Sequence, residues 1–277
     1  MLNVIPVTVI IPCYRCSSSI GRAIKSISSQ TYRPKEVILI DDYSDDEGKN
    51  LSELYKLKKL YNDIEINIIS LNKNMGPAGA RNAGWNQAKQ PYIAFLDADD
   101  AWHPEKLAIQ YGWMVRRPEV LLTAHNTKLL KSPLIDSKLS KNVDFDKVNI
   151  LKLLFVNYFP TRSVMLKRDI DYRFFPGKRY AEDYLLWLSI ALDKNLVYYL
   201  NLPLAFSFKN DFGDSGLTAD LYKCHLGLTD TYRQLLERNK IPKIVFFGVM
   251  TFEYVKYIRR YLIVIFRKLI QSINDIF

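Results

Sequence analysis

Pro91 to Asp100 reads PYIAFLDADD. The run to Leu96 is apolar without polar alternation, which is what a strand covered on both faces requires. It then turns abruptly acidic at Asp97, Asp99 and Asp100. The same shape occurs upstream. Val7 to Pro12 (VTVIIP) is nearly continuous apolar sequence, and Glu36 to Ile40 (EVILI) runs straight into DDYSDD at Asp41 to Asp46. Between these runs, Ile20, Ala23, Ile24 and Ile27 fall on one helical face. Leu51 to Tyr61 reads as a helix and Ile64 to Ile69 as a third strand. A loop, LNKNMGP, leads into a helix over Gly79 to Lys89, and Pro104 opens another in which Leu107, Gln110, Tyr111 and Met114 share a face. This alternation predicts an α/β fold, Rossmann-like, with a mostly parallel sheet and helices on both faces. Ligands in such sheets lie beyond the carboxyl ends of the strands. The two acidic clusters are therefore expected to face one pocket.

Past residue 125 the pattern loosens. Thr127 to Val148 is polar and reads as a long loop, and Tyr180 to Leu192 (YAEDYLLWLSIAL) as a helix. Glu182 and Asp183 stand in that helix's first turn, where carboxylates suit the helix dipole. Lys209 to Thr218 (KNDFGDSGLT) is a Gly- and Asp-rich loop, and the chain reads helical from about residue 222. The expected division is a main domain over 1–220, in two parts, 1–115 and 116–220. A helical appendage covers 221–277.

A length of 277 residues suits two domains, or one larger domain with an appendage. With 48% hydrophobic and 25% charged residues, disordered, collagenous and low-complexity classes are excluded. The net charge of +10 favours an anionic partner. Charge-free runs such as Asn195 to Phe208 reach only 14 residues, short of the roughly 18 that span a bilayer. MLNVIPVTVIIPCY carries no basic n-region and no small-residue cleavage site. A cytoplasmic location is expected.

A D-x-D at a strand end suits a hard divalent cation, because Mg²⁺ and Mn²⁺ prefer oxygen ligands and Mg²⁺ takes one or two carboxylates together with substrate phosphates. Acidic residues also cluster in solvated turns, so the spacing alone is weak. The wholly apolar strand before Asp97 and Asp99 favours the metal reading.

VTVIIPCY, SISSQTYRPKEVILIDDYSDD, NMGPAGARNAGWNQAKQPYIAFLDADDAWHPEKL and AEDYLLWL together resemble the family-2 glycosyltransferases, which have the GT-A fold. The resemblance covers most of residues 4–115 and returns around 160–195, in the family's order. It implies an inverting glycosyltransferase that uses a nucleotide-sugar donor, with UDP expected, and Mn²⁺ or Mg²⁺. By position it implies that Pro12 and Tyr14 hold the base and ribose, and that Asp42 receives the uracil ring. Arg81 would lie near base and diphosphate, and Asp97 near the ribose and the metal. Asp99 would bind the metal, and Asp183 would be the catalytic base. The residues are chemically coherent with this: transfer needs a cation on the departing diphosphate and a carboxylate to take the acceptor's proton.

The chain departs from the family's pattern where Arg15 replaces a frequent Asn. It also reads FSFKNDFGDSGLT where many members carry a basic, His-containing segment, which leaves any third metal ligand open. No Q-x-x-R-W motif is present, so transfer of a single sugar is expected. Two other classes compete: a sugar-nucleotide pyrophosphorylase, which needs a Gly-rich basic loop where this chain has PCYRCSSS, and an inactive glycan- or membrane-binding module, against which Asp97, Asp99 and Asp183 are intact. Cys13 and Cys16 form a C-x-x-C without a second pair, so buried thiols are expected rather than zinc or redox chemistry. His103, His125 and His225 are scattered and read as structural or surface residues. Gly76, Gly79 and Gly84 form no nucleotide-loop motif and read as turn and packing glycines.

In the last helix, Phe247, Met250, Tyr254, Ile258, Tyr261 and Ile265 share one face, with Glu253, Lys256, Arg259, Arg260 and Arg267 opposite. Two readings are open: its apolar face packs on the catalytic domain, or it lies on an anionic membrane. The expected acceptor is a surface glycan on a lipid carrier at the inner membrane face. No nucleic-acid partner is expected, since no binding module accompanies the charge.

Overall fold

Even-numbered and odd-numbered residues of the first strand go to opposite cores. In β1 (Asn3–Cys13), Ile10 joins one buried cluster with Ile38, Ile40, Ile93 and Phe95. Val7, Val9 and Ile11 join the other, with Val37, Leu39, Ala94 and Leu96. This is the period-2 consequence of a pleated strand with both faces covered, and it explains the unbroken apolar runs. The computed structural model describes residues 3–130, 143–194, 196–210, 212–213 and 216–274, with 268, 269 and 271–274 described by backbone only.

β2 (Tyr32–Asp41), β3 (Ile66–Ser70) and β4 (Tyr92–Phe95) complete a parallel half-sheet in the order β3-β2-β1-β4. Its first face is covered by α3 (Gly76–Gln87) through Ala78, Ala80 and Trp85, and by α6 (Glu182–Lys194) through Leu185, Trp187 and Leu188. On the second face lie α1 (Ile20–Ser28), α2 (Lys49–Leu60) and α4 (Lys106–Val115). Gly84 makes the close approach of α3 possible, since a Cβ there would stand 2.8 Å from both Ile10 and Ile40 side chains.

The second half is mixed. β8 (Met165–Lys167) pairs antiparallel with β4, then β6 (Leu122–Leu129) antiparallel with β8, and β9 (Val197–Ser207) parallel with β6. The two-residue strands β5 (Ala101–Trp102) and β7 (Asp146–Lys147) both pair antiparallel with β9. The segment expected as a long loop, Thr127 to Val148, is thus only partly so. Its first residues close β6 and Asp146–Lys147 pair with β9, while 131–142 lie outside the described residues. A short helix, α5 (Ile150–Phe155), comes next, capped by the Asn149 side chain on the Lys152 amide.

α7 (Leu221–Glu237) and α8 (Lys243–Asn274) pack on this body rather than forming a core of their own. Tyr232, Leu235 and Val249 belong to the same buried cluster as Phe95 and Trp187. α7 also buttresses the start of α6. Lys178 Nζ donates to the Gly227 carbonyl at 2.9 Å, and a Cβ on Gly227 would meet the Tyr180 carbonyl oxygen at 2.7 Å and its Cβ at 2.4 Å.

α8 corrects one of the two expectations for the tail. Of its apolar face Met250 packs against the buried cluster, whereas Phe247, Tyr254, Ile258, Tyr261 and Ile265 are exposed, Phe247 to 66%. The side turned inward carries Val249 and Glu253, both with no exposed surface. Glu253 forms an ion pair with Lys256 at 2.8 Å and accepts from Arg260 at 3.2 Å, and Lys256 donates to the Phe155 carbonyl at 2.8 Å. A buried carboxylate must be paired, and this one takes the basic residues inward with it. Among the described residues no helix is long and apolar enough to cross a membrane.

Since the Gly227 contact is with backbone, neither partner can yield by a rotamer change. Gly227→Ala should therefore destabilise the protein by about 1–3 kcal/mol, the usual cost of overpacking. Urea unfolding checks this, and an unchanged midpoint would show that α7 does not brace α6 at this point.

Candidate active site

The carboxyl ends of β1, β2 and β4 lie side by side, with Cys13 in register with Asp41 and Ile10 with Phe95. All three ends carry residues singled out from the sequence. Pro12 is half-buried within β1, and Tyr14, just past its end, is half exposed. Asp41 is turned inward and accepts from Asn50 Nδ2 at 2.6 Å. Asp42 is buried too. Its Oδ1 accepts from the Met75 amide at 2.6 Å, where α3 begins. Burial raises its pKa, although the Met75 and Gly76 amides pull the other way. Asp42 thus closes the start of α3 as well as standing at the strand ends.

Arg81 joins two parts of the chain that the sequence keeps apart. It is 5% exposed, and donates to Asp97 Oδ1 at 2.7 Å and to Glu182 Oε1 at 2.8 Å. The end of β4 and the first turn of α6 are thereby fixed to one guanidinium. Burial opposes the charge on Arg81, but Asp97 and Glu182 outweigh it and hold the group protonated. Burial would raise Asp97, yet Arg81, with Arg162 behind it, holds its carboxyl below the ordinary range. Glu182 is pushed up to about 7 by burial and by adjacent Asp183, against Arg81.

Asp183 sits beside this bridge. Its Oδ2 accepts from the Thr161 hydroxyl at 2.9 Å and its Oδ1 from the Tyr184 amide at 2.7 Å. Both oxygens are oriented, and burial raises its pKa despite Arg81, Thr161 and the Tyr184 amide. A carboxylate of raised basicity at a helix start can accept a proton. Ala181, just before this turn, holds a left-handed φ of +54°. Such backbone in a non-glycine residue is uncommon and collects at functional sites.

The D-x-D carboxylates each face a different cation. Asp97 has Arg81. Asp100, buried, has Arg162 at 3.3 Å; burial pushes it up to about 7, Arg162 opposing and Asp97 and Asp99 adding to the rise. Asp99 has Lys209, at 2.5 Å. Asp97 and Asp99 remain 27% and 37% exposed and offer hard oxygen donors already adapted to neighbouring positive charge. That donor set fits Mg²⁺ or Mn²⁺ bound together with a diphosphate. Among the described residues no cluster of three His, Cys, Asp or Glu side chains forms a full protein cage.

Residues 8–172, more than half of the chain, match the model of Glycosyl transferase family 2. The chain belongs to glycosyltransferase family 2. The Escherichia coli UDP-Glc:alpha-D-GlcNAc-diphosphoundecaprenol beta-1,3-glucosyltransferase WfgD is 31% identical over 69% of this chain and 71% of its own. S. aureus TarS 1-349 in complex with UDP-GlcNAc matches the structure with a TM-score of 0.68 at 18% identity, over 90% of this chain and 72% of that one. Mannosyltransferase PcManGT from Pyrobaculum calidifontis, in complex with GDP-Man and Mn²⁺, matches with 0.63 at 20% identity, over 90% and 68%. At these identities the structural likeness is one of fold, the GT-A fold. The protein is a glycosyltransferase.

The partners of several residues around these carboxylates carry no signal in the sequence. Glu182 stands there beside Asp183 alone, whereas its partner in the fold is Arg81. Thr161, Arg162, Lys209 and Arg22, whose guanidinium donates to the Asp99 carbonyl at 2.6 Å, belong to no motif. Their role depends on contacts distant in sequence. The C-x-x-C thiols are buried and free, Cys16 against Asn50 Oδ1, and burial, with Cys16 adding to it, pushes the Cys13 thiol up, which suits packing rather than reactivity.

Arg81→Met leaves Asp97 and Glu182 without their shared cation. Breaking one side of a buried pair costs about 3–5 kcal/mol, so denaturant unfolding should show a loss of that size. A loss below about 1 kcal/mol would place the bridge among ordinary surface pairs.

Proposed function

We propose that this family-2 glycosyltransferase moves one sugar from a nucleotide-sugar donor, UDP-linked, to a surface-glycan acceptor on a lipid carrier, with inversion at the anomeric carbon. The observation that carries the reading is the Arg81 bridge, which sets an oriented base carboxylate, Asp183, beside the D-x-D strand end. Support for the donor comes from TarS, solved with UDP-GlcNAc, and for the acceptor from WfgD, which is named for a diphosphoundecaprenol-linked substrate. In this reading Pro12, Tyr14 and Asp42 line the nucleoside side, and Asp99 with Asp97 holds Mn²⁺ or Mg²⁺. That ion, when bound, stabilises charge on the leaving diphosphate. The acceptor hydroxyl gives its proton to Asp183 as its oxygen bonds to the anomeric carbon. The bond to the diphosphate breaks on the opposite side, and a single displacement inverts the centre. Thr161 and the Tyr184 amide hold the base in place. Arg81 holds Asp97 and, through Glu182, the turn that carries Asp183.

The exposed apolar face of α8 supports a place on the membrane surface, where a lipid-linked acceptor would be met. An amphipathic helix binds there through buried apolar area plus attraction to anionic lipid. Because Lys256, Arg260 and Arg267 are committed inward, the apolar contribution should dominate. Polar replacement of Phe247, Tyr254, Ile258 and Tyr261 should release the protein from vesicles in a flotation assay while donor hydrolysis continues. A variant still vesicle-bound would take α8 out of the docking surface.

A hydrolysis screen of UDP-, GDP- and dTDP-sugars with Mn²⁺ or Mg²⁺ identifies the donor without an acceptor. On that donor, Asp183→Asn should lower turnover by about 10²–10⁴, the usual worth of a general base, with donor affinity kept. In the wild type, turnover should fall as pH drops through the raised pKa of Asp183, so the acid limb should lie above the ordinary aspartate range. Near-normal turnover of Asp183→Asn would move the base to Glu182.

A further inference from the structure

Three cations serve the three carboxylates of the D-x-D segment, and one of them differs in kind. Arg81 and Arg162 are largely buried guanidiniums held between elements. Lys209 is a point charge on a flexible four-carbon stem, 37% exposed, at 2.5 Å from Asp99 Oδ2. Asp97 and Asp100 are the next negative charges acting on it.

The segment that brings Lys209 is pinned on both sides. Ser207 Oγ donates to the Lys209 carbonyl at 3.0 Å. The Phe208 ring lies 3.8 Å from the guanidinium of Arg22, which itself donates to the Asp99 carbonyl. Further on, Arg267 of α8 donates to the Phe212 carbonyl at 3.3 Å and lies over the Phe212 ring. The backbone is therefore tethered close to Asp99, and the ammonium stands at the end of a flexible four-carbon stem.

The role of Lys209 rests on the assignment of Asp99 as the divalent-cation ligand. Lys209 holds Oδ2 of Asp99, and a divalent cation bound at that carboxylate would stand close to the ammonium and repel it, so the two compete for Asp99. The displaced charge stays within one side chain's reach of Asp99, where a diphosphate on the ion would lie. We propose that Lys209 is a diphosphate-binding residue of this enzyme, which competes with the divalent cation for Asp99 and joins it on the donor's diphosphate.

The two halves of the proposal predict effects of opposite sign. Lys209→Met keeps the apolar stem and removes the charge. It should bind Mn²⁺ alone several-fold more tightly than wild type, measured by the free Mn²⁺ signal in electron paramagnetic resonance. With saturating Mn²⁺ it should bind UDP about tenfold or more weakly by calorimetry, as expected for loss of a charge-assisted contact. UMP should lose less than UDP, because only the latter carries the second phosphate. Lys209→Arg should restore UDP affinity in large part. Unchanged or weaker Mn²⁺ binding by Lys209→Met, or unchanged UDP affinity, overturns the proposal. Asp99→Asn separates it from the underlying metal assignment. If that variant binds Mn²⁺ as wild type does, the ion is elsewhere and the competition falls with it; if it loses Mn²⁺, the metal assignment stands and Lys209→Met alone decides.

Discussion

A buried guanidinium with two carboxylates is the constraint on which the site depends. Arg81 belongs to α3, Asp97 to the end of β4, and Glu182 to the first turn of α6. Without the guanidinium, Asp97, Glu182 and Asp183 would be three carboxylates gathered in a poorly solvated place, and their repulsion would drive the base turn away from the strand end. Burial makes such a bridge costly to form and more costly to break. It therefore fixes geometry more than it adds stability. The left-handed Ala181 and the backbone contact between Tyr180 and Gly227 are what that turn requires around it.

Much of the parallel half-sheet was legible because both of its faces are covered. A doubly covered strand must be apolar throughout, and it can change to carboxylates only where it emerges, so Asp41–Asp42 and Asp97–Asp100 marked the strand ends directly. Asp183 was legible as part of AED at a helix start. The antiparallel strands were not. β6 and β9 mix polar and apolar residues, and the short strands β5 and β7 exist only because β9 offers them an edge. The segment of Lys209 was marked as a departure from the family's pattern, but its partner was not legible, nor was that of Thr161: their chemistry comes from Asp99 and Asp183, brought near by the sheet rather than by sequence.

α8 shows what helical periodicity leaves open. The spacing of Phe247, Tyr254, Ile258 and Tyr261 identified residues sharing a face, but not which face meets the body. Glu253 decides that. A carboxylate without exposed surface, served by Lys256 and Arg260, draws the charged side inward and leaves aromatic and aliphatic side chains outside. The same inward side holds the Lys209 segment through Arg267 and Phe212, so the outer helix and the D-x-D carboxylates are parts of one connected arrangement.

In the proposed reaction Arg81 holds the turn of Asp183 to the strand end, while Asp99, rather than the bridged Asp97 and Glu182, would yield its cation to a metal ion. A crystal structure with UDP and Mn²⁺, read in an anomalous difference map, tests this most directly. A manganese peak at Asp99, with Arg81 still bonded to both Asp97 and Glu182, is the expected result. A peak away from Asp99, or an Arg81 released from either carboxylate, would contradict it.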